Sequence, residues 1–337
     1  MRDGKTVVAI LLVIAMMSFF AESGEASQAT FAPPQSKVNQ LLTLADGSLV
    51  ALTAEKGGLY ILKPGGLKWE RWPGTPETHL YSAASAPDGA LYLATASGLA
   101  RWNSALTAWE IVREGAASRV SFSSSREQSR QYTMLVNFWG RGLAMLAWRQ
   151  ANEDDHQFEL NPTQEEMKGL PVAPVQAILL REEDAWYAGL FGHGVFRFDA
   201  SASSWETAHD GLGSLFVMTL AAGPTEELYV GTYGGGLLVL DTGRTDWRLA
   251  DPFFAGTSIQ DLAFGEKGEI VAGSVAHGLF LSLDKGTSWQ RIDLGIPDGN
   301  ITAVAVGKDG SIWAGVWGSG PFVSRDQGTS WRPVPID

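Results

Sequence analysis

Leu228-Tyr-Val-Gly-Thr-Tyr-Gly-Gly-Gly-Leu-Leu-Val-Leu-Asp-Thr-Gly-Arg-Thr-Asp-Trp247 decides the fold. A short apolar run, a glycine-rich turn, a second apolar run and an Asp/Gly turn that closes on tryptophan describe two strands of a meander leading into a third. The layout recurs at residues 270–289 and 312–331, and the closing tryptophans at 205, 247, 289 and 331 are each 42 residues apart. A fixed period of this length outranks any local motif as a guide to architecture.

Working outward, the first unit reads as strands at 38–45, 49–53 and 59–62, with turns at Asp46-Gly47 and Gly57-Gly58 and Trp69 in a fourth strand. The second runs from Tyr81 to Trp109. The third is irregular: strands are expected at 121–125, 132–136 and 143–148, with Phe158 standing where a closing Trp would be. Units four to seven are regular. Seven units of four short strands predict an all-β, seven-bladed β-propeller of four-stranded antiparallel blades spanning 38–337. The terminal blades are expected to meet edge to edge, with residues 28–37, an extended Pro33-Pro34 lead-in, contributing a little strand to the seal.

Residues 1–27 stand apart. Arg2 and Lys5 precede an apolar run from Val7 to Ala21 broken by Ser18, and small residues follow at Ser23, Ser27 and Ala29. This is the layout of a signal peptide with cleavage between 23 and 29; the run is short for a membrane span, so an uncleaved anchor is the lesser alternative and the one route to membrane contact. The chain has no cysteine, which fits a bacterial periplasmic or extracellular protein better than a disulfide scaffold. Two positive and three negative groups leave with residues 1–27, so the formal charge of −12 becomes −11. Without a block of Lys and Arg, nucleic acid is excluded as a partner.

Gly295-Ile-Pro-Asp-Gly-Asn-Ile-Thr-Ala-Val followed by Lys308-Asp-Gly-Ser-Ile-Trp-Ala-Gly-Val-Trp-Gly-Ser-Gly resembles the repeat of the two-component-regulator propellers, as does Gly231-Thr-Tyr-Gly-Gly-Gly-Leu. Ser282-Leu-Asp-Lys-Gly-Thr-Ser-Trp289 and Ser324-Arg-Asp-Gln-Gly-Thr-Ser-Trp331 resemble the Asp-box, or BNR, pattern. The wider likeness is to the seven-bladed superfamily that includes WD40 and YVTN repeats. Asp-boxes occur in sialidases, sorting receptors, xyloglucan hydrolases and photosystem II assembly factors, so the resemblance implies a propeller rather than an activity. Ser282, Asp284, Gly286, Trp289, Ser324, Asp326, Gly328 and Trp331 are accordingly expected to be structural, the aspartates accepting backbone N–H bonds and the tryptophans packing between blades. Asn103, Asp199 and Asp241 stand six residues before their tryptophans instead of five, and their turns should differ by a residue.

Function should sit where the loop between second and third strands meets the loop joining blades. Aligning the units on the third-strand glycine gives a column of Trp139, Phe191, Tyr233, Val275 and Trp317, and a second of Arg141, His193, Gly235, His277 and Ser319. Four large rings in five turn positions suit a rim that grips a polypeptide or stacks on sugars, with Arg141, His193 and His277 adding directional bonds. Residues 161–174 and 209–215 should border it and add Glu165, Glu166, His209 and Asp210. The bland alternative is that the rings only cap inter-blade packing.

An enzyme would need other groups. The Arg-Ile-Pro stretch of sialidases is missing, Glu153, Asp154 and Asp155 read as a solvated turn, and the five histidines lack metal-ligand spacing. No nucleophile elbow or phosphate loop occurs. The sequence therefore predicts a non-enzymatic, monomeric binding or scaffold module without cofactor or metal, a sensor or assembly factor in the cell envelope. A glycan-active hydrolase or lyase is the alternative. A sensing role would call for a separate signalling partner.

Overall fold

The computed structural model describes residues 37–55, 58–123, 131–149, 168–181, 185–297 and 299–336. The signal segment 1–27, the lead-in 28–36, Phe158, the 153–155 acids, Glu165 and Glu166 lie outside the described residues. Seven antiparallel sheets follow one another along the chain, each a meander of consecutive strands; six show four strands and the third shows three. The fold is an all-β seven-bladed propeller.

The innermost strands are Val38–Thr43, Leu80–Ser85, Ala117–Phe122, Val175–Leu180, Val217–Ala222, Ser258–Phe264 and Ile301–Val306, and they number blades 1 to 7. In blade 3 the strand begins four residues before the sequence expectation. Gly115 takes a φ of 106° directly after Ala108–Glu114, so the chain re-enters the ring at once and buries Ala117 and Val120. Ser121 and Phe122 are only its end. The first hairpin is the Asp-Gly turn in blades 1, 2 and 7, where Asp46, Asp88 and Asp309 accept the N–H two residues on at 2.8, 2.9 and 3.0 Å.

Among the described residues the buried apolar side chains form seven clusters, and each draws on two consecutive blades. The core is thus a ring of seams. On the second strands of blades 4 to 7, Gly189, Gly231, Gly273 and Gly315 leave room for the next blade: a Cβ there would lie 2.5 Å from Val217, 2.8 Å from Ile259, 2.6 Å from Ile301 and 3.0 Å from Val38. Each glycine is a seat for a branched residue at the start of the neighbouring inner strand, the first residue in three cases and the second, Ile259, in blade 6. Val38 on Gly315 closes the circle.

Closure departs from the edge-to-edge expectation. Among the described residues blade 1 keeps its own four strands and blade 7 its own four, and the two pack face against face. Trp69 meets Trp313 edge-on at 5.9 Å and donates Nε1–H to the Val334 carbonyl at 3.0 Å. Thr302 and Thr43 donate hydroxyl bonds to the Val38 and Val306 carbonyls. The physical reason is that blades 1 and 7 each complete their own four-stranded sheet, so side chains remain to join the ends.

Candidate binding rim and channel

The loops between second and third strands share one geometry. In blades 3, 4, 5 and 7 the sequence aromatic-Gly-x-Gly forms a type II turn, in which Gly140, Gly192, Gly234 and Gly318 take φ of 73°, 80°, 72° and 71°. Blade 6 has Ala276 at that position with φ 65°, a left-handed residue with a side chain. Trp139, Phe191, Tyr233 and Trp317 each donate their backbone N–H to the residue that precedes the same blade's innermost strand, at 2.8 to 3.0 Å. This bond fastens the turn to the blade-connecting loop and puts both on one face.

The rings differ in what they meet. Trp139 and Tyr233 are each 40% exposed. Trp139 lies 6.0 Å from Tyr81 of blade 2; Phe191, half-buried, meets Phe216 of the next connection edge-on at 4.9 Å. Trp317 is half-buried beneath Lys37, whose Nζ sits 4.2 Å above the ring. Burial lowers the Lys37 pKa. Phe191 and Trp317 therefore cap seams, while Trp139 and Tyr233 present their surface.

Tyr81, Leu215, Phe216 and Phe253 join them as exposed apolar groups on that face. They come from inner-strand starts and blade connections, segments that an alignment of the turns alone does not sample. Arg141, His193 and His277 are exposed. His193 and His277 direct Nδ1 at the carbonyls of Phe191 and Val275, 3.2 and 3.1 Å away. A carbonyl accepts only from an N–H, so Nδ1 carries a proton in both rings. His209 packs under Gly194, where a Cβ would come 2.7 Å from its Nδ1, and Asp210 binds Trp247 N–H through its carbonyl. Residues 209–215 thus border the rim at blades 4 and 5.

The turns at 282–289 and 324–331 occupy the other face, where Arg325 of one reaches Asp309 of a first hairpin at 2.9 Å. Asp284 accepts the Ser288 hydroxyl and amide at 2.6 and 2.8 Å and the Ser282 hydroxyl at 2.8 Å; Asp326 repeats this with Ser330 and Ser324. The Ser288 and Ser330 bonds hold both carboxyls at a pKa of about 2. Gly286 and Gly328 take φ of 84° and donate N–H to Ser282 and Ser324. Trp247 and Trp331 donate Nε1–H to Ala208 and Ile292 of the preceding blade, Trp289 packs edge-on to Phe254, and Trp205 is 3% exposed. The turns of blades 2 and 4 are tighter than expected, with Asn103 paired to Ala108 and Asp199 to Ser204, because the outer ladder there continues to the turn itself. Blade 5 keeps the longer loop of blades 6 and 7, with Val239 paired to Arg248.

A further layer runs around the innermost strands. Every innermost strand carries a bulge at its register, and the residue after it is Gln40, Ser82, Arg119, Ala177, Thr219, Asp261 or Ala303 in blades 1 to 7. Several of these reach sideways to the free edge of the next inner strand. Gln40 binds both N–H and C=O of Ala83, Asp261 accepts from Val304 N–H at 2.9 Å, and Arg119 donates Nε–H to the Gln176 carbonyl at 2.6 Å. Strand edges that would otherwise be left unpaired are so satisfied. Sequence reasoning missed this layer; its signal was one charge inside each of two otherwise uncharged inner strands.

Among the described residues no cluster of three metal-ligating side chains occurs, and no helix is long and apolar enough to cross a membrane. No family model matches the chain. No curated protein matches it either. Solved structures do. One is the extracellular domain of a protein described as hybrid two-component system BT4673 from B. thetaiotaomicron, 19% identical, with a TM-score of 0.63 over 88% of this chain and 39% of that one. The corresponding domain of BT3049 from the same organism is 14% identical, with a TM-score of 0.64 over 87% of this chain and 40% of that one. Streptogramin B lyase is 11% identical, with a TM-score of 0.60 over 87% of this chain and 95% of the lyase. At these identities the likeness is one of fold, and the chain spans about two-fifths of the length of the two extracellular domains.

Proposed function

We propose that the chain is an exported, non-catalytic propeller that receives a polypeptide partner on its aromatic rim, as the input or docking module of an envelope signalling or assembly system. The observation that carries this reading is the exposed apolar face of Trp139, Tyr233, Tyr81, Leu215, Phe216 and Phe253, rimmed by Arg141, His193 and His277. Large rings that are already fixed by their turns lose little entropy on binding, and branched Leu215 beside them suits a side-chain pocket better than a sugar face. The extracellular two-component domains support a sensing context; the chain's resemblance to the regulator repeat points the same way. The Asp-box segments serve as turns in this reading.

The test is capture from a native envelope fraction, comparing wild type with Trp139→Ala/Tyr233→Ala. A protein held by the first and lost from the second, with thermal stability unchanged, supports the rim. Retention by both removes it. Consumption of a glycan or lyase substrate, abolished by a rim substitution, would replace binding with catalysis. Trp317, beneath Lys37, is the poorer choice for this experiment because its loss would also loosen a seam.

A further inference from the structure

Arg119 and Asp261 hold the same register position on the inner strands of blades 3 and 6. Three blades apart in a ring of seven, they stand on opposite walls of the channel. The other five members of their layer are Gln40, Ser82, Ala177, Thr219 and Ala303, all uncharged. Both charged side chains keep part of their surface open.

Their bonding is incomplete in complementary ways. Arg119 donates Nε–H to the Gln176 carbonyl, Nη1–H to the carbonyls of Tyr81 and Ser118 at 3.2 and 2.9 Å, and one Nη2–H to Gln176 Oε1 at 3.1 Å. All of these acceptors are neutral, and one Nη2 hydrogen remains. Asp261 accepts from Leu262 and Val304 N–H at 2.9 Å each, and both its oxygens retain a lone pair. Among the described residues neither has an opposite charge in ion-pair contact, yet each feels the other's field. A deep cation and a deep carboxylate that face one another without touching are costly to keep ionised. Desolvation accordingly lowers the Arg119 pKa and pushes Asp261 up to about 7.

We propose that the middle of the channel binds a small zwitterion of the amino-acid type, its carboxylate on Arg119 and its ammonium on Asp261. One molecule then supplies both missing counter-charges and uses the remaining hydrogen and lone pairs. A simple anion would satisfy Arg119 and be repelled by Asp261; a simple cation would do the reverse. This site is separate from the rim, and it stands or falls without it.

The experiment uses the full chain with glycine, β-alanine and 4-aminobutyrate, which place the two charges progressively further apart, beside acetate and ethylammonium as single-charge probes. Thermal unfolding and titration calorimetry are read at equal ionic strength. At least one zwitterion should raise the melting temperature by roughly 5 °C at a hundredfold excess over its Kd, more than acetate and ethylammonium together. Asp261→Asn should remove that excess while leaving the acetate response. Because that variant can weaken the fold, the wild-type Asp261 carboxyl is also followed by carbon-13 NMR: bound ammonium should lower its apparent pKa by about one unit. Equal responses to acetate and to the zwitterions, no response to any probe, or an Asp261 titration unmoved by saturating zwitterion would each overturn the proposal.

Discussion

The seams and the rim use the same residue types for opposite ends. Trp247 in the seam between blades 4 and 5 is 3% exposed and spends its indole N–H on the Ala208 carbonyl. Tyr233, at the top of the same blade, is 40% exposed and is fixed only through its backbone. A ring that is enclosed and hydrogen-bonded across a junction holds the propeller closed; a ring held by its turn alone contributes surface. The comparison teaches that aromatic enrichment in a repeat protein divides by what the ring touches. It is broken most directly by removing a seam ring: Trp247→Ala should cost about 3–5 kcal/mol, measured by denaturant unfolding. A loss near that expected for Tyr233 would erase the distinction.

Asp261 tests the seam from the channel side. An ordinary aspartate titrates near ~4, whereas in the native ring Asp261 is held up to about 7, first by burial and against the pull of the Val304 and Leu262 N–H groups and Arg119. The native state therefore holds this proton more tightly than the unfolded chain. Its contribution is fully present below about pH 4 and is lost as pH rises to about 7, by at most ~4 kcal/mol for three units. Asp261→Asn should flatten that limb of the stability profile. Asp284 and Asp326 act with the opposite sign: their carboxyls sit at about 2, so their support is present above ~4 and fades as pH falls towards 2. A profile in which Asp261→Asn leaves the slope between pH 4 and 7 intact would show that the clasp to Val304 carries no proton linkage.

The glycine seats sharpen the seam at the scale of one methyl group. Gly273→Ala would set a Cβ 2.6 Å from Ile301 Cγ2 in a fully packed junction, and overpacking of this kind costs roughly 1–3 kcal/mol. Truncating the knob with Ile301→Val in the same chain should recover part of the loss, since the two changes share one space. Additive effects would mean that Ile301 does not rest on Gly273.

How much of this was legible follows the period. The 42-residue spacing carried the meander, the outer turns and the tryptophans because each repeat pairs only with itself and its neighbours, so local pattern and global fold agree. Blade 3 was read less well, since its inner strand opens with Ala117 and Ser118 where other blades place a branched residue first or, in blade 6, second. Ring closure was misjudged because strand patterning says which residues pair within a sheet and nothing about the side chains that join two complete sheets. The turn column brought Trp139, Phe191, Tyr233 and Trp317 to one face, yet spacing could not tell the rings that cap a seam from those that face outward. Arg119, Gln40 and Asp261 were invisible for a related reason: they act across blades, 43 residues apart for Gln40 and Ala83 and again for Asp261 and Val304.

The smallest expected effects belong to the rim, and they decide whether its turns are tuned for stability or for display. Ala276 alone occupies the left-handed position that glycine fills in blades 3, 4, 5 and 7, at φ 65°. A side chain there costs about 1–2 kcal/mol relative to an unstrained residue. Part of that returns on Ala276→Gly, offset by the greater freedom of glycine in the unfolded chain, so a gain of roughly 0.5 kcal/mol is expected. Tyr233→Ala, which leaves the backbone bond to Phe216 in place, should change stability by less than about 0.5 kcal/mol. The two substitutions separate in binding: Ala276→Gly keeps every rim ring, whereas Tyr233→Ala removes one of the two most exposed members of the turn column. A rim that serves recognition therefore tolerates the first and loses partner capture with the second. Should Tyr233→Ala instead destabilise the protein as much as a seam substitution, the outward ring would prove to be packing, and the contrast between the two regions would collapse at its most exposed point.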